Sequence, residues 1–154
     1  MMRFPGKLAL QQRVLPNYRV PFFDLLASAC DGGLSLFTGS PRPVEGIATT
    51  SKLQIGAYSP GKNIHLFSGS LYLCYQLGLI DWLKNWNPDA LIVEANPRYL
   101  STPAAVKWMH RHGKPVIGWG LGAPSPRFAV RLSANGSAVG VRVWSSFLQQ
   151  FEAL

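Results

Sequence analysis

The sequence predicts an α/β domain built on an open, mainly parallel sheet with helices on both faces. Short apolar runs alternate with helical patterns five times between Lys7 and Trp119, the order expected of strand–helix–strand units. One run, Ala90–Ala95 (ALIVEA), is apolar almost throughout and includes β-branched residues, as suits a strand buried on both faces. Right-handed crossovers between parallel neighbours then place helices above and below the sheet.

Taken in order, Lys7–Gln12 opens with a strand-like apolar run. A turn at Pro16-Asn17-Tyr18 follows, and Pro21 sits where a first helical position tolerates it. Phe22, Leu25, Leu26 and Ala29 recur at helical spacing until Asp31-Gly32-Gly33 stops the element. Leu34–Phe37 is the second strand. Residues 38–62, rich in Gly, Pro, Ser and Thr, form an excursion long enough to be either functional or mobile. Asn63–Phe67 reads as the third strand. A helix follows, with apolar positions at Leu71, Cys74, Tyr75, Leu79, Trp82, Leu83 and Trp86. Pro88-Asp89 ends that helix, and Ala90–Ala95 is the fourth strand. Thr102 and Pro103 read as an N-cap and first-turn pair. Ala104, Ala105, Trp108 and Met109 should face inward. His110, Arg111 and His112 fall in the last turn before Gly113, where cations favour the helix dipole. Pro115–Trp119 is the fifth strand. Further on, Trp144, Phe147, Leu148 and Phe151 form a last helical stripe, after which the chain reads as cut before another strand.

At 154 residues, the chain is one domain at about 100–200 residues per domain, long enough for a real core. Hydrophobic residues make up 47% and charged residues only 14%, against a usual charged share of about 25%, which excludes a disordered chain. Two cysteines, Cys30 and Cys74, exclude a disulfide framework and read as core residues. With no CxxC, and with His65, His110 and His112 lacking clustered acids, no metal and no cofactor is expected. The longest uncharged stretch, Asn63–Ile80, carries too many polar residues for a spanning helix of about 20 residues and reads as soluble core. Asn135-Gly136-Ser137 matches a glycosylation acceptor, without meaning in the cytoplasm, which is the expected compartment.

The net charge of +8 is uneven. Residues 1–94 hold eight Lys/Arg and six Asp/Glu, whereas residues 95–154 hold seven Lys/Arg and Glu152 alone. A surface of one sign concentrates anions such as nucleotides, sugar diphosphates or an anionic leaflet, or simply keeps the protein soluble. No helix-turn-helix or RNA-binding motif is present, so nucleic acid is not an expected partner.

Ligands of open α/β sheets bind beyond the C-terminal strand ends. That selects Arg13–Arg19, Glu94–Arg98 and Gly118–Arg127. Glu94 ends a buried strand, where partial desolvation suits a general base or a hydroxyl acceptor. The plainer alternative is an ion pair with Arg98 or a cap on the next helix. Arg13 and Arg19 flank a turn and suit bidentate phosphate binding, or are surface arginines. Gly118-Trp119-Gly120-Leu121-Gly122 lets backbone approach a ligand. It is not the dinucleotide fingerprint, since Pro124 and Pro126 follow in place of a helix. There is no GxxxxGK[ST], GxSxG or HExxH.

Three stretches, QQRVLPNYRVPFFDLLA (Gln11–Ala27), PDALIVEANPRYLS (Pro88–Ser101) and GKPVIGWGLG (Gly113–Gly122), resemble in order and separation the N-terminal half of a GT-B glycosyltransferase of the family 4 type. The resemblance covers most of residues 7–122. It implies a Rossmann-like three-layer α/β/α domain over 1–154 that forms one wall of a cleft. The acceptor, a saccharide or a lipid-linked sugar, would bind against its loops. The nucleotide-sugar donor would be held mostly by a second Rossmann-like domain outside this chain, leaving the chain truncated and inactive by itself. Carried over position by position, it implies substrate-binding roles for Arg13, Tyr18, Arg19, Asn96, Arg98, Gly118, Trp119 and Gly120. Glu94 would be catalytic, meeting the acceptor hydroxyl. Peripheral contact with an anionic membrane is a further expectation. The competing reading is a non-catalytic α/β module that binds anions or a partner.

Overall fold

The computed structural model describes residues 3–120. The expected helical stripe at Trp144–Phe151, the prolines at 124 and 126 and the Asn135-Gly136-Ser137 motif lie outside them.

Five strands form one sheet in which every pair is parallel: β1 (Leu8–Gln11), β2 (Leu34–Thr38), β3 (Ala57–Pro60), β6 (Ala90–Glu94) and β7 (Val116–Trp119), in the order β3-β2-β1-β6-β7. Two further strands, β4 (Lys62–Leu66) and β5 (Leu73–Leu77), pair antiparallel as a separate hairpin. The helices are α1 (Val20–Ser28), α2 (Leu79–Trp86) and α3 (Thr102–Arg111). Together they make a Rossmann-like α/β/α domain.

The period of two along each strand sorts the core into two halves. Leu8, Leu10, Leu34, Leu36 and Ala90 pack with Phe23 and Ala27 of α1. The intervening Ala9, Phe37, Leu91 and Val93 pack with Leu79, Trp82 and Leu83 of α2 and with Ala105 and Met109 of α3. Even the polar residues of β2 are used: Ser35 Oγ accepts from Trp82 Nε1 at 2.9 Å across the layer. Cys30 and Cys74 are both buried, as expected of core residues.

Several expectations need correcting. Residues 63–67 are not in the main sheet; its fifth member is the edge strand β3, inside the stretch read as an excursion. Pro60 can end this strand because an edge position has no neighbour waiting for its missing N–H. The helix expected from Leu71 begins only at Leu79. Leu71, Leu73, Tyr75 and Leu77 also satisfy a period of two, and Gly78, in the left-handed region at φ 85°, breaks the chain between strand and helix. The inner face of α1 is Phe23, Asp24 and Ala27, whereas Phe22 and Leu25 are exposed. In α3, Ala105 and Met109 face inward but Ala104 is exposed. Thr102 is the first helical residue and not the cap. The cap position is Ser101, whose hydroxyl accepts the Gln76 amide at 3.2 Å and so is spent outside the helix.

One turn is fitted closely enough to test. A Cβ on Gly32 would stand 2.5 Å from the carbonyl carbon of Gly6 and 2.6 Å from the Lys7 nitrogen. Both are backbone atoms leading into β1 and cannot swing aside. Gly32→Ala is therefore expected to destabilise the fold by roughly 1–3 kcal/mol, read as a lower midpoint in urea unfolding with an unchanged slope.

Candidate functional site

Chain order reverses between β1 and β6: β2 and β3 extend the sheet on one side, β6 and β7 on the other. A reversal of this kind leaves a crevice beyond the C-terminal strand ends. All three sequence segments meet there, the third described only as far as Gly120. Arg13 N–H donates to Glu94 Oε2 at 2.9 Å, joining the end of β1 to the end of β6. Ala95 N–H donates to the Trp119 carbonyl at 2.7 Å, joining β6 to β7. Arg19 returns to the rim from the start of α1, donating to Gln12 Oε1 at 2.8 Å and stacking over Trp119 at 5.7 Å.

Glu94 is half-buried. Its Oε1 accepts from the Tyr99 hydroxyl at 3.3 Å, and among the described residues no cation lies within ion-pair distance. It neither pairs with Arg98 nor caps α3, so the plainer alternative is replaced by a tie between two strand ends. Burial raises the Tyr99 hydroxyl pKa, and the negative charge of Glu94 raises it further. Tyr99 therefore stays a neutral donor to the carboxylate.

The arginine expectations divide. Arg13 is not free for phosphate: its side chain is only 13% exposed and donates to Glu45 Oε2 at 2.8 Å. Burial alone disfavours its charge, but the Glu45 hydrogen bond and nearby negative potential outweigh this and hold the guanidinium protonated more firmly than usual. Glu45 also takes Arg42 Nη2 at 3.1 Å and the Arg42 amide at 2.9 Å. Burial pushes the Glu45 carboxyl upward, yet these donors win and pull it down to about 2. Arg98, by contrast, is exposed, and its amide is held by Asn96 Oδ1 at 3.0 Å. Asn96 thus shapes the loop that presents Arg98. Tyr18 is 75% exposed with the Arg19 guanidinium 5.7 Å from its ring. Gly118 pairs with Val93 and Trp119 with Glu94 across β6 and β7. Gly120 is a correction: the space its missing side chain leaves faces the Ala95 carbonyl at 3.3 Å, so it serves strand approach and not a ligand.

Sequence reasoning missed the amide network beneath the rim. Gln11 Nε2 donates to Gln76 Oε1, and Gln76 Nε2 donates to the Gln12 carbonyl and to Asn63 Oδ1, both at 3.0 Å. Gln11 Oε1 accepts the Glu94 amide at 3.1 Å. Asn63 Nδ2 donates to the carbonyls of Arg13 at 2.8 Å and Ser40 at 2.9 Å. The signal was a pair of glutamines closing an otherwise apolar run, since two buried amides must find complementary partners. Glu45 also left a signal: it is the only acid between Asp31 and Asp81.

As a chemical surface the rim offers one half-buried carboxylate without a cationic partner among the described residues, one exposed guanidinium and an arginine-backed indole. It can accept a hydrogen bond from a hydroxyl, attract an anion and stack against a flat face. Comparison of the chain with protein-family models, with curated proteins and with solved structures finds no match.

Proposed function

We propose that this rim is the acceptor-side wall of a sugar-transfer crevice, in a glycosyltransferase of the GT-B, family 4 type. The observation that carries the reading is the convergence at one strand reversal of the three segments in which the resemblance lies, with Glu94 at their meeting point. In this reading the acceptor hydroxyl oxygen attacks the anomeric carbon of a nucleotide-sugar while the bond to the diphosphate breaks. The Glu94 carboxylate takes the hydroxyl proton. Arg98 meets an anionic group of the acceptor or donor, and Trp119, backed by Arg19, stacks on a sugar ring. Arg13, bound to Glu45, positions Glu94 through its backbone amide. The clamp that stabilises the departing diphosphate belongs to a second, donor-binding domain.

A second reading, a non-catalytic anion- or partner-binding module, is favoured by the two hydrogen bonds that Glu94 already accepts. One experiment separates the two. The isotope-labelled chain is titrated with oligosaccharides and with inorganic phosphate while backbone amides are followed by NMR. The transfer reading expects saccharides to shift the amides of Glu94–Arg98 and Gly118–Gly120. It also expects Glu94→Gln to weaken that binding about tenfold or more, as loss of a charged hydrogen bond should. Saccharides that leave those amides unmoved, with phosphate shifting Arg98, would replace it by the module.

A further inference from the structure

The β4–β5 hairpin is inside out. Antiparallel strands with one solvated face ordinarily put apolar residues inward and polar ones outward. Here the inward row is Asn63, His65, Cys74 and Gln76, three of them polar and hydrogen-bonded to the rim or its loops. The outward row is Lys62, Ile64 and Leu66 on one strand and Leu73, Tyr75 and Leu77 on the other. At the turn Phe67 and Leu71 are 70% and 72% exposed. Six of the twelve large apolar residues exposed among those described fall on this one hairpin, which makes a patch and not a scatter.

The turn is shaped to present that patch. Phe67 holds a φ of 58°, a left-handed backbone that a bulky side chain adopts only under local constraint. Gly69 follows at φ 60°, and the turn between Phe67 and Leu71 is otherwise small and uncharged: Ser68, Gly69, Ser70. Beside it lies an open apolar groove of about 380 Å³ lined by Phe67, Leu71, Tyr72, Leu73 and Arg98. The Arg42 guanidinium lies 4.4 Å from the Tyr72 ring.

We infer that this face is a docking surface for an anionic lipid leaflet. Charge decides the occupant. From Gly61 to Gly78 there is no Asp or Glu. Arg42 at the border is already paired with Glu45, but Lys62 and Arg98 are cations that no carboxylate pairs with among the described residues. A second copy of the chain would bring those cations against their own kind, whereas an anionic headgroup layer complements them. The order of side chains away from the turn fits the same partner. Phe67 and Leu71 come first, then Leu66 with Leu73, then Ile64 with Tyr75, then Lys62 with Leu77. At about 3.4 Å per residue, Lys62 stands roughly 14 Å behind Leu66. Apolar tip, then aromatic, then cation is the sequence of environments met from acyl chains outward through the interface. The surface holds without a helix able to cross a membrane, of which there is none among the described residues.

The test is flotation of the whole chain with phosphatidylcholine vesicles, with and without phosphatidylserine, alongside Phe67→Gly, Leu71→Ser and Lys62→Gln. Phe67→Gly is the informative variant, because glycine accepts the positive φ without strain and so keeps or raises the melting temperature. The wild type should float with serine-containing vesicles and less at high salt. Phe67→Gly and Leu71→Ser should each reduce binding about tenfold, and Lys62→Gln about fivefold. No flotation with either vesicle, or flotation unchanged in Phe67→Gly and Leu71→Ser, would overturn the proposal. So would a dimer in light scattering that Phe67→Gly dissociates, which would make a second copy the occupant. Saccharide binding at Glu94 plays no part in any of these outcomes.

Discussion

Glu45→Ala should destabilise the fold by roughly 3 kcal/mol, the range found when one partner of a buried ion pair is removed and the other charge is left behind. The orphan is Arg13, whose side chain is 13% exposed while Glu45 is 16% exposed. Arg42 loses the same partner. Two guanidiniums would then stand together at the strand reversal with nothing between them. Urea unfolding measures the loss directly, and the acid limb of the pH profile identifies its source. Glu45 titrates at about 2 in the fold against an ordinary 4.5. A carboxyl lowered on folding contributes stability that is fully present above its ordinary value and is lost as pH falls through the folded one. The wild type should therefore lose stability between pH 4.5 and 2, and the variant should have a shallower slope over that window. Equal slopes would mean that the pair is not what holds the rim together.

Asp24→Ala is expected to be about as costly, for a different reason. Asp24 is the buried acid of α1, and its carboxylate accepts the amides of Gln54, Ile55 and Gly56 at 2.9, 2.8 and 3.3 Å. Burial raises its pKa, but these three donors lower it by more, so the net is a depressed value. Alanine leaves three amides to find water at the entry to β3. With each unsatisfied buried donor costing about 1–3 kcal/mol and partial rescue by solvent, the expected loss is roughly 2–4 kcal/mol. Hydrogen exchange should show it locally, as lost protection at residues 54–60 before the rest of the sheet responds. Asp24→Asn, which can still accept, should recover part of the protection. Uniform loss across all five strands would show that α1, and not the β3 entry, is what Asp24 holds.

These two acids explain where the sequence was readable. β1, β2, β6 and β7 were legible because each is a short apolar run flanked by turn residues. The first three are largely buried, which leaves little ambiguity, and β7 is half-buried at the edge. The stretch 38–62 was not. Its order comes from single polar residues: Asp24 of α1 and Asn63 of the hairpin reach into it, and Glu45, on its own short 3₁₀ turn at Pro43–Glu45, ties it to Arg13. Bonds of that kind leave no periodicity. The hairpin failed differently. Residues 63–67 read as a strand, but Leu71, Cys74 and Tyr75 fit helical spacing as well as a period of two fits Leu71, Leu73, Tyr75 and Leu77. The second strand of the hairpin therefore reads as the start of α2, and neither pattern says which face lies inside. Only the partners of Asn63 and Gln76 settle that. At the rim, position was legible and availability was not. The strand-end rule selected Arg13, Glu94 and Trp119, yet whether a guanidinium is free depends on a carboxylate 32 residues away.

The order of the strands has a consequence for how the chain is made. β1 occupies the middle of the sheet, with β2 on one flank and β6 on the other, Leu8 lying opposite both Leu34 and Ala90. During synthesis from the N-terminus, β1 gains β2 as a neighbour early and must wait for about fifty further residues before β6 arrives. Until then its free edge is open to pairing with any extended chain nearby. Long-range closure of this sort is slow, so the ribosome-bound nascent chain, more than the finished protein, is where misassembly by stray strand addition has its opening.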